Sequence, residues 1–458
     1  MPEADQSGVA PLFYTGRSRF LQANENFVQA LIGASAQCSI HASEDIFDAT
    51  GLKLWARGRP IDEHLLERLR NRRLRKPVEL CVYAADPVAT AGIAAHIEAR
   101  VGVSEDLLAA LDPHLANILN VVDAIIPSPT ELLLLSVLRH APRERMAHAA
   151  LVCALALAAA REVDMHPELM RTLARAALLH DIGELYLPPA LFADQERYDA
   201  AQERQLQTHP LLGGQVALEL ARSSATVAEL IGQSHERLDG TGYPKGIAAR
   251  DLSVPAQALL FAEAMADTLG SGDNATRRAA VAARMIPGEF ADGMVNWLSQ
   301  CALSRPPKPQ PAIIAEELGD DLRSLHTQLA QVLVLLKMPV HETSQVRSAV
   351  AQWLVKVEEL IRILRMTGVE DALLFGMNLA PQSDEEKIEL SVLALEMHYR
   401  VRELRLRIEM ARIDTPELGT STLVLDLLDA LQDCKADPVY RSTEEIFEPV
   451  AVNSILHA

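Results

Sequence analysis

The sequence predicts a mainly α-helical protein with a small α+β module near its N-terminus. Aromatic residues make up only 4% of the 458 residues, while alanine and leucine are abundant. That bias favours helices over sheets. Apolar residues recur at helical spacing over most of the chain after Ser104, whereas two short strand-like runs stand before it. A chain of this length is expected to form two to four domains.

The N-terminal part is predicted to contain a loose segment followed by the α+β module. Residues 1–35 have weak periodicity and are expected to be partly loose. Residues 36–100 are expected to form the module, with strands at Cys38–Ala42 and Gly51–Ala56 on either side of a turn sequence. A helix is expected over Ile61–Leu74, where apolar residues follow helical spacing.

The end of this predicted helix is strongly basic, with Arg68, Arg70, Arg72, Arg73, Arg75 and Lys76. Cations are favoured at the C-terminus of a helix, and runs of charge usually form a solvated face. We therefore expect an exposed surface here. A phosphate or nucleotide site is the alternative.

Residues 104–303 are predicted to form an all-helical domain. The segments Glu131–Arg139 and Arg145–Ala160 are too apolar for surface helices, so we expect them to be buried. Pro167 favours the start of a helix that continues to Leu179.

A proline-rich linker is predicted at residues 304–311, and a helical bundle at residues 312–458. The linker has four prolines in eight residues, which cannot continue a helix. In the bundle, two helices are expected from apolar spacing, a long third helix begins with a capping box at Ser383, and a fourth covers Ser421–Gln432. Their apolar stripes are expected to pack in the bundle core. A homodimer or protein-partner surface is the alternative.

The charge of the chain limits the partners that it can bind. Apolar residues make up 49% and charged residues 23%, and the formal net charge is −19. A chain this acidic repels a nucleic-acid backbone, so no nucleic-acid polymer is expected as a partner. A small anionic substrate is possible where a metal ion supplies positive charge locally.

The cysteines and apolar runs favour a cytoplasmic protein with no membrane span. The five cysteines are scattered and form no CxxC pair: Cys38, Cys81, Cys153, Cys301 and Cys434. They indicate reduced thiols rather than a disulfide framework or a cysteine zinc site. The longest apolar run, Ala149–Ala160, is too short to cross a bilayer, and no signal-peptide pattern is present.

Histidine and carboxylate residues cluster in the helical domain in a pattern that favours a metal centre. Glu144 and His148 are four residues apart, and would share one face of a helix. Asp267 lies in an apolar run, where an ionised carboxylate is costly unless it is paired or binds metal. The candidate metal ligands are Glu144, His148, His180, Asp181, His209, His235 and Asp267. Such donors suit iron, manganese or zinc, and a pair of these ions suits phosphoester hydrolysis.

Two motifs in this domain are distinctive: His180-Asp181, and a loop that runs from His235-Glu236-Arg237 to Gly242-Tyr243-Pro244. With His209 and Asp267, they resemble the HD-GYP family of bacterial phosphodiesterases, over roughly residues 131–304. The resemblance implies an all-helical HD domain with two or three divalent ions, iron or manganese, and hydrolysis of cyclic di-GMP in bacterial signalling. It also implies that the seven candidate ligands hold the ions and that Asp181 bridges two of them.

The same resemblance implies that the loop contacts the substrate, through Arg237, Asp239, Gly242, Tyr243 and Pro244. A tight turn would by itself also account for the glycines and the proline.

Two residues depart from the family pattern. Glu184, which we place with Asp181 among the predicted catalytic positions, stands where the family usually has a lysine. Its negative charge would lie beside the phosphates of the substrate. Ser234 stands where the family has the first of two histidines, and serine is a poor ligand for these metals. The alternatives are therefore a degenerate HD-GYP protein that binds nucleotide or acts as a scaffold, or a hydrolase of another nucleotide phosphoester.

Overall fold

The computed structural model describes residues 17–431, except 89, 103, 142–143, 193–197, 270–272, 310–314, 339–342, 375–380 and 382. The first 16 residues and the last 27, with Cys434, lie outside the described residues. So do the last two positions of the predicted linker and the end of the predicted last helix. Within the described residues the chain is mainly helical, which confirms the predicted fold class.

The described residues of the N-terminal module form two α-helices and four short strands: α1 (Glu25–Ser35), β1 (Ile40–Ala42), β2 (Ile46–Phe47), β3 (Lys53–Trp55), α2 (Glu63–Leu69) and β4 (Val82–Ala84). β1 pairs with β4, and β2 pairs with β3, both antiparallel. Residues 25–35 were expected to be loose but form α1. The Asn24 side chain caps it by accepting a hydrogen bond from the amide of Phe27 (3.0 Å), whose ring is fully buried.

The central part of the chain contains eleven α-helices among the described residues: α3 (Thr90–Val101), α4 (Glu105–Asp123), α5 (Pro129–Arg139), α6 (Arg145–Glu162), α7 (Pro167–Leu179), α8 (Ala200–Leu206), α9 (His209–Glu219), α10 (Ala225–Gly232), α11 (Val254–Leu269), α12 (Ala275–Met285) and α13 (Asp292–Leu303). As predicted, α6 is buried, along its whole middle section from Ala149 to Ala160. It packs against α3, α4, α7 and α11 and so forms the centre of this region.

The N-terminal module and the central helices share one apolar core, which extends from Phe20 to Ala302. Tyr186 joins the two parts. Its ring stacks on Phe27 with centroids 4.8 Å apart, and its hydroxyl donates to Glu79 Oε1 (3.1 Å). The core is thus continuous across the boundary predicted near residue 100.

Three residues of the basic run, Arg70, Arg72 and Lys76, pair with acidic side chains in this structure. Arg72 Nη1 lies 2.9 Å from Asp48 Oδ2, and Arg70 Nε lies 3.4 Å from Glu25 Oε1. These contacts agree with a solvated, ion-paired face. Nothing in them calls for a phosphate.

The C-terminal part contains six α-helices among the described residues: α14 (Ala315–Leu336), α15 (Ser344–Met366), α16 (Val369–Leu374), α17 (Asp384–Asp414), α18 (Pro416–Thr420) and α19 (Thr422–Ala430). They enclose a second apolar core that includes Leu322, Trp353 and Val401. The proline-rich stretch leading to it is tied to the central helices, because Lys308 N donates to Asn274 Oδ1 (2.8 Å). None of the described helices combines the length and apolarity that crossing a membrane requires.

Candidate metal centre

The turn after α7 places His180 and Asp181 against the start of α9. At Gly183 a Cβ atom would overlap the carbonyl oxygen of His209, so only glycine allows this approach. The close contact brings His209 to the same site as His180 and Asp181. Three of the predicted ligands are therefore positioned by one backbone contact.

One set of possible ligands, the Glu263 group, consists of His148, His180 and Glu263. Glu263 Oε2 lies 2.9 Å from His180 Nε2 and 3.2 Å from His148 Nε2. Its side chain comes from α11, whereas His148 is on α6 and His180 follows α7. Three buried helices thus converge on one point.

The other set, the Asp181 group, consists of Asp181, His209 and His235. His209 Nε2 lies 3.0 Å from His235 Nε2 and 3.7 Å from Asp181 Oδ1. Asp181 also reaches the Glu263 group, because its Oδ1 is 3.1 Å from His180 Nε2 and its Oδ2 is 3.9 Å from His148 Nε2. Asp181 therefore lies between the two groups.

The histidine tautomers fit metal binding. His180 Nδ1 lies 2.7 Å from the carbonyl of Ala177, and His209 Nδ1 lies 2.8 Å from the carbonyl of Leu206. A carbonyl accepts, so each Nδ1 carries the proton when the ring is neutral, and each Nε2 lone pair points into the site. His180 Nε2 is buried, and its short separations from carboxylates lack hydrogen-bond geometry. A cation would satisfy it. The residues present therefore fit divalent ions.

The electrostatic surroundings of the histidines differ between the groups. Burial opposes the charge on His180, but Asp181 and Glu263 outweigh it and raise its pKa to about 10. Burial likewise opposes the charge on His148, and Glu263 raises the pKa of that side chain well above its usual range. In the Asp181 group, burial lowers the pKa of His209, and burial together with the charge of His209 lowers that of His235 to about 3.

Two predicted ligands lie at the edge of the site rather than in either group. The exposed Glu144 precedes α6 and borders the cavity. The Asp267 side chain is 96% exposed, with Oδ1 3.5 Å from His148 Nδ1. The burial cost assumed for Asp267 is therefore wrong. The carboxylate that meets His148 and His180 is Glu263, one helical turn earlier, which the sequence analysis did not select.

Glu184 does not present an unbalanced negative charge. Its Oε2 lies 2.7 Å from Arg145 Nη2, and Arg145 Nη1 lies 3.7 Å from Asp181 Oδ2. Burial and the charge of Asp181 raise the pKa of Glu184 to about 8, while Arg145 opposes that shift. The arginine restores a cation at this edge of the site, and the sequence analysis did not identify it.

Ser234 is buried and borders the same cavity, but it belongs to neither ligand group. Its hydroxyl donates to the carbonyl of Ile231 (3.0 Å). The side chain therefore completes the last turn of α10.

The loop after His235 supports that histidine. The Glu236 carboxylate accepts hydrogen bonds from the amides of Lys245 and Ile247, each at 2.8 Å. A Cβ atom at Gly242 would overlap the backbone of Glu236, which allows the loop to fold tightly. The ring of Tyr243 stacks on His235 with centroids 4.8 Å apart and an interplanar angle of 11°. Tyr243 thus orients a candidate ligand.

Two of the predicted substrate-binding residues are engaged with other parts of the protein. Arg237 Nη1 lies 3.2 Å from both carboxylate oxygens of Glu403, and Arg237 Nε lies 3.1 Å from Glu289 Oε1. Asp239 Oδ1 accepts from Thr241, and Asp239 Oδ2 lies 3.0 Å from Lys356 Nζ. The contacts of Asp239 with Thr241 are those of a tight turn.

The ligand groups open into a cavity of about 640 Å³, a size suited to a small-molecule ligand. Helices of the central part and of the C-terminal part line this cavity. Basic and aromatic side chains at its walls include Arg100, Arg145, Tyr243, Tyr399 and Arg402.

Comparison with known proteins finds matches for the part of the chain that carries the ligand groups. Residues 133–289 match the family model described as HD domain. A cyclic di-GMP phosphodiesterase of Pseudomonas aeruginosa is 30% identical over 35% of this chain and 38% of its own length. A 3′3′-cGAMP-specific phosphodiesterase of Vibrio cholerae is 37% identical over 20% of each chain. The chain thus spans well under half the length of these relatives.

A solved structure of an HDG"Y"P protein from Bdellovibrio bacteriovorus is 17% identical, covering 57% of this chain and 93% of that one, with a TM-score of 0.32. The assignment rests on the sequence matches: residues 133–289 of this chain form an HD domain, and the resemblance to the HD-GYP family is confirmed for that segment.

Proposed function

We propose that this protein is a metal-dependent phosphodiesterase that hydrolyses a cyclic dinucleotide, with cyclic di-GMP as the first candidate. The observation that carries the proposal is the pair of ligand groups joined by Asp181 at a cavity of about 640 Å³. Relatives of the HD domain named as phosphodiesterases of cyclic di-GMP and 3′3′-cGAMP support the substrate class.

The donor chemistry supports two ions of iron or manganese. Each group offers two histidines and one carboxylate, a set typical of non-haem iron sites and unlike the all-oxygen sites of magnesium. Bound there, the ions would supply a water activated at neutral pH and positive charge for the phosphate. The side chains of each group would hold one ion, and Asp181, which lies between the groups, would contribute to both sites.

Other side chains at the site supply positive charge or keep a ligand in its orientation. Arg145, kept in place by Glu184, offers its guanidinium to a phosphate oxygen at the edge of the cavity. Tyr243 keeps the ring of His235 in orientation by stacking. The other loop residues, Gly242 and Pro244, shape the turn that carries Tyr243.

A second candidate is a protein that binds metal and nucleotide without turnover. Ser234 favours it, because a buried hydroxyl bonded to a carbonyl offers no nitrogen ligand to an ion. In that case signalling would depend on the C-terminal helices that contact the loop.

The experiment that separates these candidates follows the products of cyclic di-GMP and of 3′3′-cGAMP by chromatography. The protein is first reconstituted anaerobically with iron or manganese, and Asp181→Asn serves as the inactive control. Linear dinucleotide or mononucleotide formed by the wild type but not by the control supports the hydrolase. Binding of the dinucleotide without products supports the scaffold, and neither binding nor products contradicts both.

A further inference from the structure

The C-terminal helix α17 forms one wall of the cavity that contains the metal-ligand groups. Glu396, Tyr399, Arg400 and Arg402 border this cavity together with His148, Asp181 and His235. The HD-domain match ends at residue 289, so α17 lies far outside it in sequence. Part of the candidate substrate site therefore comes from a region that the family match does not cover.

α17 is fastened to the HD domain by an ion-pair network in which most of the side chains are largely buried. Arg400 makes a bidentate contact with Glu289, at 2.6 and 3.0 Å, and the two side chains are 9% and 0% exposed. Glu403, on the next turn, pairs with Arg237 of the loop, and Arg407 donates to the carbonyl oxygen of Thr241. Bidentate arginine–carboxylate pairs fix geometry as well as charge. The position of α17 beside the loop is thus specified by named contacts on successive turns.

Tyr399 is the member of this wall that is well placed to meet a nucleotide base. It precedes the buried Arg400, yet it is 49% exposed. Tyr399 and Tyr243 both border the cavity. An exposed aromatic ring held on a rigid helix loses little conformational freedom when a base stacks on it.

Cationic side chains border the cavity together with Tyr399. Arg145 and Arg402 are among them, and guanidinium groups can contact a phosphate or the edge of a guanine base. Aromatic rings and guanidinium groups in one groove are the combination by which proteins bind unpaired bases. Metal ligands and an aromatic ring that border one cavity would hold the phosphate and the base respectively.

We propose that Tyr399 is a base-stacking residue of the substrate site, so that the C-terminal bundle completes a site whose metal ligands all belong to the HD domain. This inference rests on the proposed function, since it assigns a role in binding the cyclic dinucleotide. It places substrate recognition on α17 and metal binding on α6, α9, α11, the turn after α7 and the loop that begins at His235. Loss of the Tyr399 ring therefore weakens nucleotide binding and leaves the metal centre intact.

The test compares three variants of the full-length, metal-loaded protein: Tyr399→Ala, Tyr399→Phe and Leu395→Ala. Leu395 is the matched control, since it is on α17 one turn earlier, is 41% exposed and does not border the cavity. Each variant is assayed for metal content, for KM and kcat with cyclic di-GMP, for binding of cyclic di-GMP by calorimetry, and for hydrolysis of methyl p-nitrophenyl phosphate, which carries no purine.

Tyr399→Ala is expected to raise the KM and the dissociation constant for cyclic di-GMP by about ten- to a hundred-fold, the range of one lost base–aromatic stack. Tyr399→Phe and Leu395→Ala should keep values close to those of the wild type. Metal content and hydrolysis of methyl p-nitrophenyl phosphate should be unchanged in all three. A residue with a merely structural role would not affect nucleotide binding while leaving metal content and hydrolysis of the purine-free diester unchanged.

Two results would overturn the inference while leaving the proposed function standing. One is a Tyr399→Ala variant whose KM and binding match those of Leu395→Ala. The other is a Tyr399→Ala variant that loses metal or hydrolyses the purine-free diester more slowly in the same proportion, which would make Tyr399 structural. A wild-type protein that neither binds nor hydrolyses cyclic di-GMP would remove the proposed function, and this inference with it.

Discussion

The Glu263 group and the Asp181 group each offer two histidines and a carboxylate, yet the pKa values of their histidines are shifted in opposite directions. Carboxylates raise the pKa of His148 and His180, whereas burial lowers the pKa of His209 and His235. The cause is that Asp181 lies 3.1 Å from His180 and that the Glu263 carboxylate touches both histidines of its own group. In the Asp181 group, the two histidines face one another at 3.0 Å instead.

This difference shows that two similar ligand sets can release different numbers of protons when each binds an ion. An ion in the Glu263 group replaces protons on its histidines, because only a deprotonated nitrogen binds metal. An ion in the Asp181 group meets histidines that are already neutral. Measurements on single groups can therefore test the assignment of each ligand.

The largest effect is expected from Asp181→Asn, because Asp181 is the residue that lies between the two groups. Removing the bridging charge should release most of the metal from both groups and abolish turnover. Elemental analysis after reconstitution measures this, with the exposed Asp251→Asn as a matched control. Metal content equal to that of the wild type would contradict the bridging role.

Glu263→Gln should remove about one ion per chain, because the amide keeps the size of the side chain but cannot supply the carboxylate charge. Asp267→Asn, one turn along the same helix, should lose far less metal, since its side chain is 96% exposed. Metal counting on the two variants decides between these carboxylates. The reverse order of losses would restore Asp267 as the ligand.

Acidification should release the two ions in separate steps. As the pH falls, protons compete first for histidines with a raised pKa, so the Glu263 group should lose its ion at higher pH than the Asp181 group. Metal retention measured across a pH series should show two transitions. His235→Gln should lack the lower one, and a single transition in the wild type would contradict the contrast.

The smallest effect concerns Arg145 and Glu184, which border both groups. Glu184→Lys alone should lower turnover severalfold, because the new cation would lie beside Arg145. The exchange of the pair, Arg145→Glu with Glu184→Lys, should recover part of that loss by returning one cation and one anion. Steady-state kinetics of the three proteins measure it. An increase on Glu184→Lys alone would support the simpler expectation from the family pattern.

Much of the site was predictable because the residues of each motif lie close together in the sequence. His180 and Asp181 are adjacent, and the loop after His235 has glycines and a proline that specify a tight turn. Glu263 was not predictable in this way. Positions 263 and 267 share one face of α11, so helical periodicity treats them equally. Which of the two meets both His148 and His180 depends on how α11 packs along α6, and periodicity does not contain that information.

The fold shows the same division between local and long-range information. The apolar run of α6 predicted a buried helix correctly. The helix α1 was missed, since its stability depends on Phe27 packing against Tyr186, 159 positions further along the chain. Arg145 was missed for a related reason: its pairing with Glu184 exists only when the start of α6 meets the turn after α7.

At Gly183 the metal centre has no room for even one added methyl group. There the backbone of the turn after α7 contacts the backbone of α9 directly, with no side chain between them. This contact sets the distance between the two ligand groups. Repacking of the surrounding apolar core can adjust rotamers and leave that distance unchanged. A single added carbon at position 183 would instead push the two ligand groups apart and disturb the geometry of both.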